Sequence, residues 1–119
     1  MPRAVDPATL LPLAPASFHI LLALAQEDLH GYAVMQEVEA RTRGEIRLSA
    51  GTLYRTIHRL LEQGLVVELR ERPAPEEDDE RRRYYRLTRL GRDVARAEAT
   101  RLRGLVDMAR ECGLAPEEA

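Results

Sequence analysis

Apolar residues recur at helical spacing in three short stretches before residue 64 and in one long stretch after residue 88. One apolar position every three or four residues is typical of an amphipathic helix with one buried face. In the third stretch, Leu53, Ile57 and Leu60 form such a face. The pattern predicts helices from Pro15 to about Glu27–Asp28, from about His30 to Thr42, from Ala50 to Gln63 and from Arg89 to Cys112.

The chain between the third and fourth predicted helices alternates in polarity, which predicts a β-hairpin. Its first strand carries Leu65, Val67 and Leu69 on one face, and its return strand spans residues 81–87. Residues 45–48 also alternate and are expected to form a brief strand or an extended turn. Ser49 and Thr88 are the predicted N-caps of the third and fourth helices.

The order of these elements predicts a mainly α fold with a small β-hairpin (α+β). Two helices joined by a short turn and followed by a hairpin constitute a winged helix-turn-helix, here with a long C-terminal helix for dimerisation. The expected divisions are a flexible Pro-rich N-terminal arm over residues 1–13, a winged helix-turn-helix DNA-binding domain over 14–88, a dimerisation helix over 89–113 and a tail over 114–119.

Composition excludes several classes of protein. The 119 residues carry a net charge of −2, which rules out a polycation that coats nucleic acid or membranes by charge alone. One cysteine and three scattered histidines exclude an intrachain disulfide and disfavour a metal site, and no cofactor is expected. Neither a signal peptide nor a membrane span is predicted, so the expected location is the cytoplasm.

Charge is distributed unevenly along the chain. Residues 41–59 contain five arginines and one glutamate, a balance of 5 − 1 = +4, whereas the first forty residues contain one arginine and five acids. This segregation favours a phosphate-facing surface over arginines that only solvate a helix. The predicted DNA contacts are Ser49, Gly51, Thr52, Tyr54, Arg55, Thr56 and Arg59 of the third helix, with Arg83 of the wing.

Two features of this surface have alternative interpretations. Tyr54 either packs against the wing or directs its hydroxyl to a phosphate. His58, on the shoulder of the helix, is expected to be solvated rather than to read a base. In the wing, Arg81–Arg83 favour DNA contact, but the acidic run Glu76–Glu80 would be repelled by DNA and instead pairs with these arginines or competes with phosphate.

The fourth helix carries more apolar surface than three short helices can cover. A partner helix is therefore predicted, most simply the same helix of a second subunit. Cys112 on this helix is expected to be a buried, inert thiol rather than a redox sensor. The predicted dimerisation residues are Leu90, Val94, Ala97, Leu102, Leu105, Met108 and Cys112.

Catalysis is not expected. The sequence shows neither a Gly-rich phosphate loop nor a grouping of a nucleophile, a histidine and a carboxylate at a supporting spacing.

Three segments resemble the PadR family of bacterial transcriptional regulators: HGYAVMQEV, SAGTLYRTIHRLLEQGLV and RRRYYRLTRLGRDV. The resemblance covers roughly residues 14–112 and points to the short form, with one C-terminal helix. It implies a homodimeric winged helix-turn-helix, usually a repressor, that binds a palindromic, inverted-repeat operator in double-stranded DNA through the segment Ser49–Arg59. Wing residues such as Arg83 would add flanking contacts.

Some members of the family release DNA on binding a small aromatic effector between tryptophans. This chain has no tryptophan, so that mode of binding does not carry over, although release by an effector remains compatible with the resemblance. The alternative function is a winged helix that binds an acidic protein partner and not DNA.

Overall fold

The structure, a computed structural model, describes residues 5–69 and 83–116. Its helices and strands agree with the predicted mainly α class, with a small antiparallel sheet packed beside the helices. A short 3-10 helix (Pro7–Leu10) precedes the first α-helix. The elements are α1 (Pro15–Ala23), β1 (Leu29–His30), α2 (Gly31–Arg41), α3 (Ala50–Glu62), β2 (Val66–Leu69), β3 (Tyr84–Leu87) and α4 (Arg89–Glu111).

The sheet has three strands in the order β1–β3–β2, one more than the predicted hairpin. The added strand, β1, lies in the connection between α1 and α2 and pairs antiparallel with Tyr84 and Tyr85 of β3. Beside it, the guanidinium of Arg86 donates two hydrogen bonds to the Asp28 carboxylate, at 3.1 and 2.8 Å. The wing is therefore attached directly to the start of the helix-turn-helix.

Burial does not alternate along the first wing strand as its sequence does. Leu65 and Val66 are both buried, whereas Val67 is 42% exposed. The reason is that β2 begins at Val66, and Leu65 still belongs to the turn after α3, where it enters the core. Residues 45–48 form no strand, and α1 ends at Ala23, several residues before its predicted end.

Both predicted N-caps are confirmed. The Ser49 hydroxyl accepts a hydrogen bond from the backbone N–H of Thr52 at 3.1 Å, and Thr88 accepts one from Gly91 at 2.9 Å. These bonds satisfy donors that a helix start would otherwise leave free. Thr88 also donates to the carbonyl of Gly64, which joins the start of α4 to the end of α3.

The core lies between the first three helices, the sheet and the first half of α4. A Cβ on Gly91 would collide with the carbonyl oxygen of Leu65 and lie 2.7 Å from Cδ1 of Leu87, so α4 passes the sheet at a distance that only glycine permits. The largest fully buried side chains are Ile20, Leu21, Val34, Val38, Leu53, Ile57, Leu60, Leu65, Val66 and Val94.

Part of the predicted flexible arm, within residues 5–13, packs against the rest of the fold. The 3-10 helix packs against α4, and Leu10, Leu11 and Leu13 are partly buried against the core. Glu98 of α4, only 2% exposed, accepts hydrogen bonds from Arg101 at 2.7 and 2.8 Å and from the backbone of Leu13. The bonds from Arg101 are the main reason that the pKa of Glu98 lies below its usual value.

Candidate nucleic-acid interface

Helix α3 has one buried and one exposed face. Leu53, Ile57 and Leu60 pack into the core, as the apolar spacing predicted. The opposite face is open to solvent and forms a shallow groove. Its lining residues are Gly51, Tyr54, Arg55, His58, Arg59 and Glu62.

Thr56 is a correction to the predicted DNA contacts. Its residue is 9% exposed and lies on the buried side of α3, between Leu53 and Leu60. Thr56 is therefore mostly shielded from solvent, and not on the exposed face where the sequence predicted it. The other predicted α3 residues, together with the Ser49 cap, are exposed or half-buried.

The start of α3 carries a short chain of side-chain hydrogen bonds. Ser49 Oγ donates to Thr52 Oγ1 at 3.1 Å, and Arg55 Nη2 donates to the same oxygen at 3.4 Å. These bonds restrict the rotamers of three side chains before any ligand arrives, which lowers the entropy lost on binding. A Cβ on Gly51 would lie 3.5 Å from Arg55 Nη1, an ordinary contact, so packing within the protomer does not require glycine there.

Tyr54 packs across the start of α2. Its hydroxyl lies 2.5 Å from the position that a Cβ on Gly31 would occupy, so the absence of a side chain at Gly31 makes room for the phenol ring. The residue is nevertheless 51% exposed. Tyr54 thus joins the two helices of the helix-turn-helix and leaves part of its ring on the surface.

The positive charge of this region is smaller than the sequence count suggests. Arg41 pairs with Glu37 at 2.7 Å, and Arg47 pairs with Glu39 at 3.2 Å. Both acids lie on α2, outside the segment 41–59 for which the balance of +4 was counted. Arg43, Arg55 and Arg59 have no acidic partner within 4.0 Å among residues 5–69 and 83–116, so the unpaired arginines of this segment lie on α3 and in the turn that follows α2.

The wing contributes one described candidate. Arg83 is exposed and lies 3.6 Å from the Glu68 carboxylate on the neighbouring strand. A phosphate at this position would have to compete with that carboxylate. The acidic run Glu76–Glu80 and the arginines at 81 and 82 lie outside the described residues.

The predicted dimerisation residues fall into two groups along α4. Val94 is completely buried within its own protomer, which corrects its assignment to an intersubunit surface, and Leu90 packs partly against the same core. Ala97 and Leu102 are half-buried. Leu105 and Met108 are 46% and 54% exposed, and Cys112 is also exposed rather than buried in the protomer.

The structure moves His58 from the predicted shoulder of α3 to its exposed face and adds Glu62, which the sequence had not indicated, to the same face. A helical projection of residues 50–62 gives the same placement. The pair formed by buried Glu98 and half-buried Arg101 had no signal in the sequence, because the burial of Glu98 depends on the N-terminal segment packing over α4.

No group of three or more His, Cys, Asp or Glu side chains in the described part of the chain is arranged to hold a metal ion. None of the helices described combines the length and the apolar character needed to cross a bilayer.

Comparison with known proteins identifies the fold and the family. The chain is 38% identical over 98 residues, 82% of each sequence, to the transcriptional regulator Rv3488 of Mycobacterium tuberculosis. It superposes with a TM-score of 0.67 on a PadR family transcription regulator of Clostridium difficile, at 24% identity over 82% of this chain and 97% of that one. Superposition on a transcriptional regulator of Clostridium thermocellum gives a TM-score of 0.69, at 21% identity over 81% of this chain and 87% of that one. The model of the transcriptional regulator PadR-like family matches residues 20–97, and the chain therefore belongs to that family.

Proposed function

We propose that this protein is a repressor that binds an inverted-repeat operator in double-stranded DNA as a homodimer, in the bacterial cytoplasm. Its family consists of transcriptional regulators and is not enzymatic, in agreement with the expectation from the sequence. The observation that carries the DNA-binding proposal is the exposed face of α3, where Arg55 and Arg59 lie without an acidic partner among the described residues.

The chemistry of this face suits a DNA groove. Arginine side chains donate either to guanine O6 and N7 or to phosphate oxygens, and a helix of this width enters the major groove. The hydrogen-bonded start of α3 keeps the Arg55 guanidinium close to the helix end that would enter first. The twofold arrangement of two such helices would require an inverted repeat.

The direct test is selection from random double-stranded DNA with the purified protein. We expect enrichment of an inverted repeat with half-sites about one helical turn apart. The double variant Arg55→Ala, Arg59→Ala should lose most of the affinity and show a shallower dependence of log K on log salt concentration, because it releases fewer counterions.

The matched control is Arg103→Ala. Arg103 is exposed on α4 and makes no ion pair or side-chain hydrogen bond with the described residues. Arg103→Ala removes one positive charge, as each of the two substitutions on α3 does, but it leaves the α3 face intact. If the double variant and the control bind the selected DNA alike, α3 is not the interface; if no sequence is enriched, the alternative of a protein-binding winged helix is favoured.

Dimerisation is supported by the division of α4. The first half packs in its own protomer through Gly91, Val94 and Glu98, whereas the second half exposes Leu105 and Met108, which lie one turn apart on the same side. A neighbouring copy of the same helix would cover these side chains and relate two α3 helices by a twofold axis.

A charge placed on this surface tests the dimer. Met108→Arg should shift the sedimentation coefficient from dimer to monomer at micromolar concentration, since an unpaired charge would have to be desolvated in the interface. Its far-UV circular dichroism should stay that of the wild type, because Met108 is exposed in the protomer. An unchanged dimer would place the interface elsewhere.

Release by a small molecule is a separate part of the proposal. An apolar depression between α1 and α4, lined by Phe18, Leu22, Ala95 and Ala99 among others, offers a surface for a flat hydrophobic compound. Such a compound should lower operator affinity and raise the melting temperature of the free protein. A library of planar aromatic compounds, measured by both assays, tests this part without bearing on DNA binding itself.

A further inference from the structure

The exposed face of α3 has a centre and two edges. An α-helix turns by about 100° per residue, so Gly51, Arg55, His58 and Glu62 fall within about 60° of one another. Tyr54 lies at one edge of this strip and Arg59 at the other, roughly 140° apart around the helix axis. The buried residues Leu53 and Leu60 lie on the opposite side.

A helix seated in a groove places these positions differently. Its central strip faces the base edges at the groove floor, while its edges face the sugar–phosphate walls on either side. Arg59 therefore lies where a phosphate would be, and His58 lies where a base would be. The sequence predicted His58 on the shoulder of the helix, but the residue lies at the centre of the exposed face.

His58 has the exposure that a reading residue needs. Its side chain is 75% exposed, and its charged neighbour, the Glu62 carboxylate, is 3.8 Å from Nε2, beyond hydrogen-bond distance. At least one ring nitrogen carries a proton and can donate. Along the axis His58 follows Arg55 by about 4.5 Å, which lies between the rise of one base pair, about 3.4 Å, and that of two.

We infer that His58 is a specificity-determining residue that donates a hydrogen bond to the acceptor edge of a guanine, next to the base pair read by Arg55, while Arg59 holds a phosphate. Guanine fits because it presents two adjacent acceptors, O6 and N7, in the major groove. The inference rests on the proposed DNA binding through α3 and adds to it a division of labour among its side chains.

The test compares the wild type with His58→Ala, His58→Gln and Arg59→Ala. Each protein is measured against the operator enriched by the wild type and against all single-base-pair variants of it, at several salt concentrations. His58→Ala should lose about tenfold in affinity for the selected operator and lose its base preference at one symmetric pair of positions, with the salt dependence unchanged. His58→Gln should prefer adenine there, because glutamine matches adenine N6 and N7.

Arg59→Ala should behave in the opposite way. It should weaken binding to all sequences alike and reduce the slope of log K against log salt concentration by about one per protomer contact. Because the His58 side chain is exposed, its variants should melt like the wild type, and the melting curves verify this. Arg103→Ala, distant on α4, serves as the control for loss of positive charge.

The two proposals fail in different ways. If the wild type enriches no DNA sequence, DNA binding itself is refuted and the inference falls with it. If the wild type enriches an operator but His58→Ala keeps the same base preferences and an affinity within about twofold, the role of His58 is refuted and the proposed function stands. A relaxed base preference in Arg59→Ala would also overturn the division of labour.

Discussion

A methyl group added at Gly91 should strongly lower the free energy of unfolding. Gly91 lies in the first turn of α4, and a Cβ there would collide with the carbonyl oxygen of Leu65 and lie 2.7 Å from Leu87 Cδ1. Ordinary contacts of a Cβ lie at 3.4–4 Å, so the helix would have to move away. The obstacle includes backbone, which cannot rotate aside as a long side chain would.

Three contributions determine how much Gly91→Ala changes the free energy of unfolding. Overpacking of a rigid site costs about 1–3 kcal/mol, and displacement of α4 also weakens the Thr88 cap, worth about 1 kcal/mol. Alanine returns about 1 kcal/mol through its higher helix propensity. At the upper end of the overpacking range, Gly91→Ala should lower the free energy of unfolding by about 3 kcal/mol and the melting temperature by roughly 12 °C.

Gly104→Ala is the matched control on the same helix. A Cβ there meets nothing within 4 Å in the protomer, so alanine should raise the free energy of unfolding by about 0.5–1 kcal/mol. Urea unfolding followed by circular dichroism, at one fixed protein concentration, measures both variants. If Gly91→Ala is as stable as the wild type, the close approach of α4 to Leu65 is not a feature of the folded protein.

Three further changes test other parts of the structure. Glu98→Gln should lower the free energy of unfolding by about 1–3 kcal/mol at neutral pH. Because the folded state lowers the pKa of Glu98, its contribution is present above the pKa of the unfolded chain and is lost as pH falls through the folded value, so the difference in urea unfolding between the variant and the wild type should shrink only as pH falls below the ordinary pKa of a glutamate, about 4.3. Ser49→Ala should cost about 1 kcal/mol in urea unfolding through loss of the α3 cap, and Ser49→Asp, which can still cap, should recover most of it. Glu62→Gln should raise affinity for DNA of any sequence a few-fold at low salt, because it removes one negative charge from the exposed face of α3 and so lessens repulsion from the DNA, and an unchanged affinity in a fluorescence-anisotropy titration would place Glu62 outside the interface.

The parts of the fold that depend on neighbouring residues were predictable from the sequence. The caps at Ser49 and Thr88 and the buried stripe of Leu53, Ile57 and Leu60 each follow from residues within a few positions of one another. The helix-turn-helix and the wing strands follow from the order of such segments. The exposed arginines of α3 were predictable in the same way, because they lie on the side of the helix opposite the buried stripe.

Contacts between distant segments were not predictable in this way. Strand β1 has two residues, too few for a pattern, and exists because β3 lies beside it. Val94 resembles every other apolar position of α4 in the sequence, and only the packing of the first half of that helix into its own core separates it from Met108. The balance of +4 over residues 41–59 overstates the local charge for a different reason, because Glu37 and Glu39 lie just before this segment on α2 and pair with Arg41 and Arg47.

The attachment of α4 to the turn after α3 has a consequence for how operators of different length could be recognised. Thr88 bonds to the carbonyls of both Gly64 and Leu65, so the start of α4 is hydrogen-bonded to the turn that ends α3. With 23 residues, α4 is about 34 Å long, and a tilt of about 5° at its start shifts its far end by about 3 Å, close to the spacing of one base pair. In a dimer joined at that far end, small substitutions near residues 64–65 and 88–91 would change the distance between half-sites without altering any residue that contacts DNA.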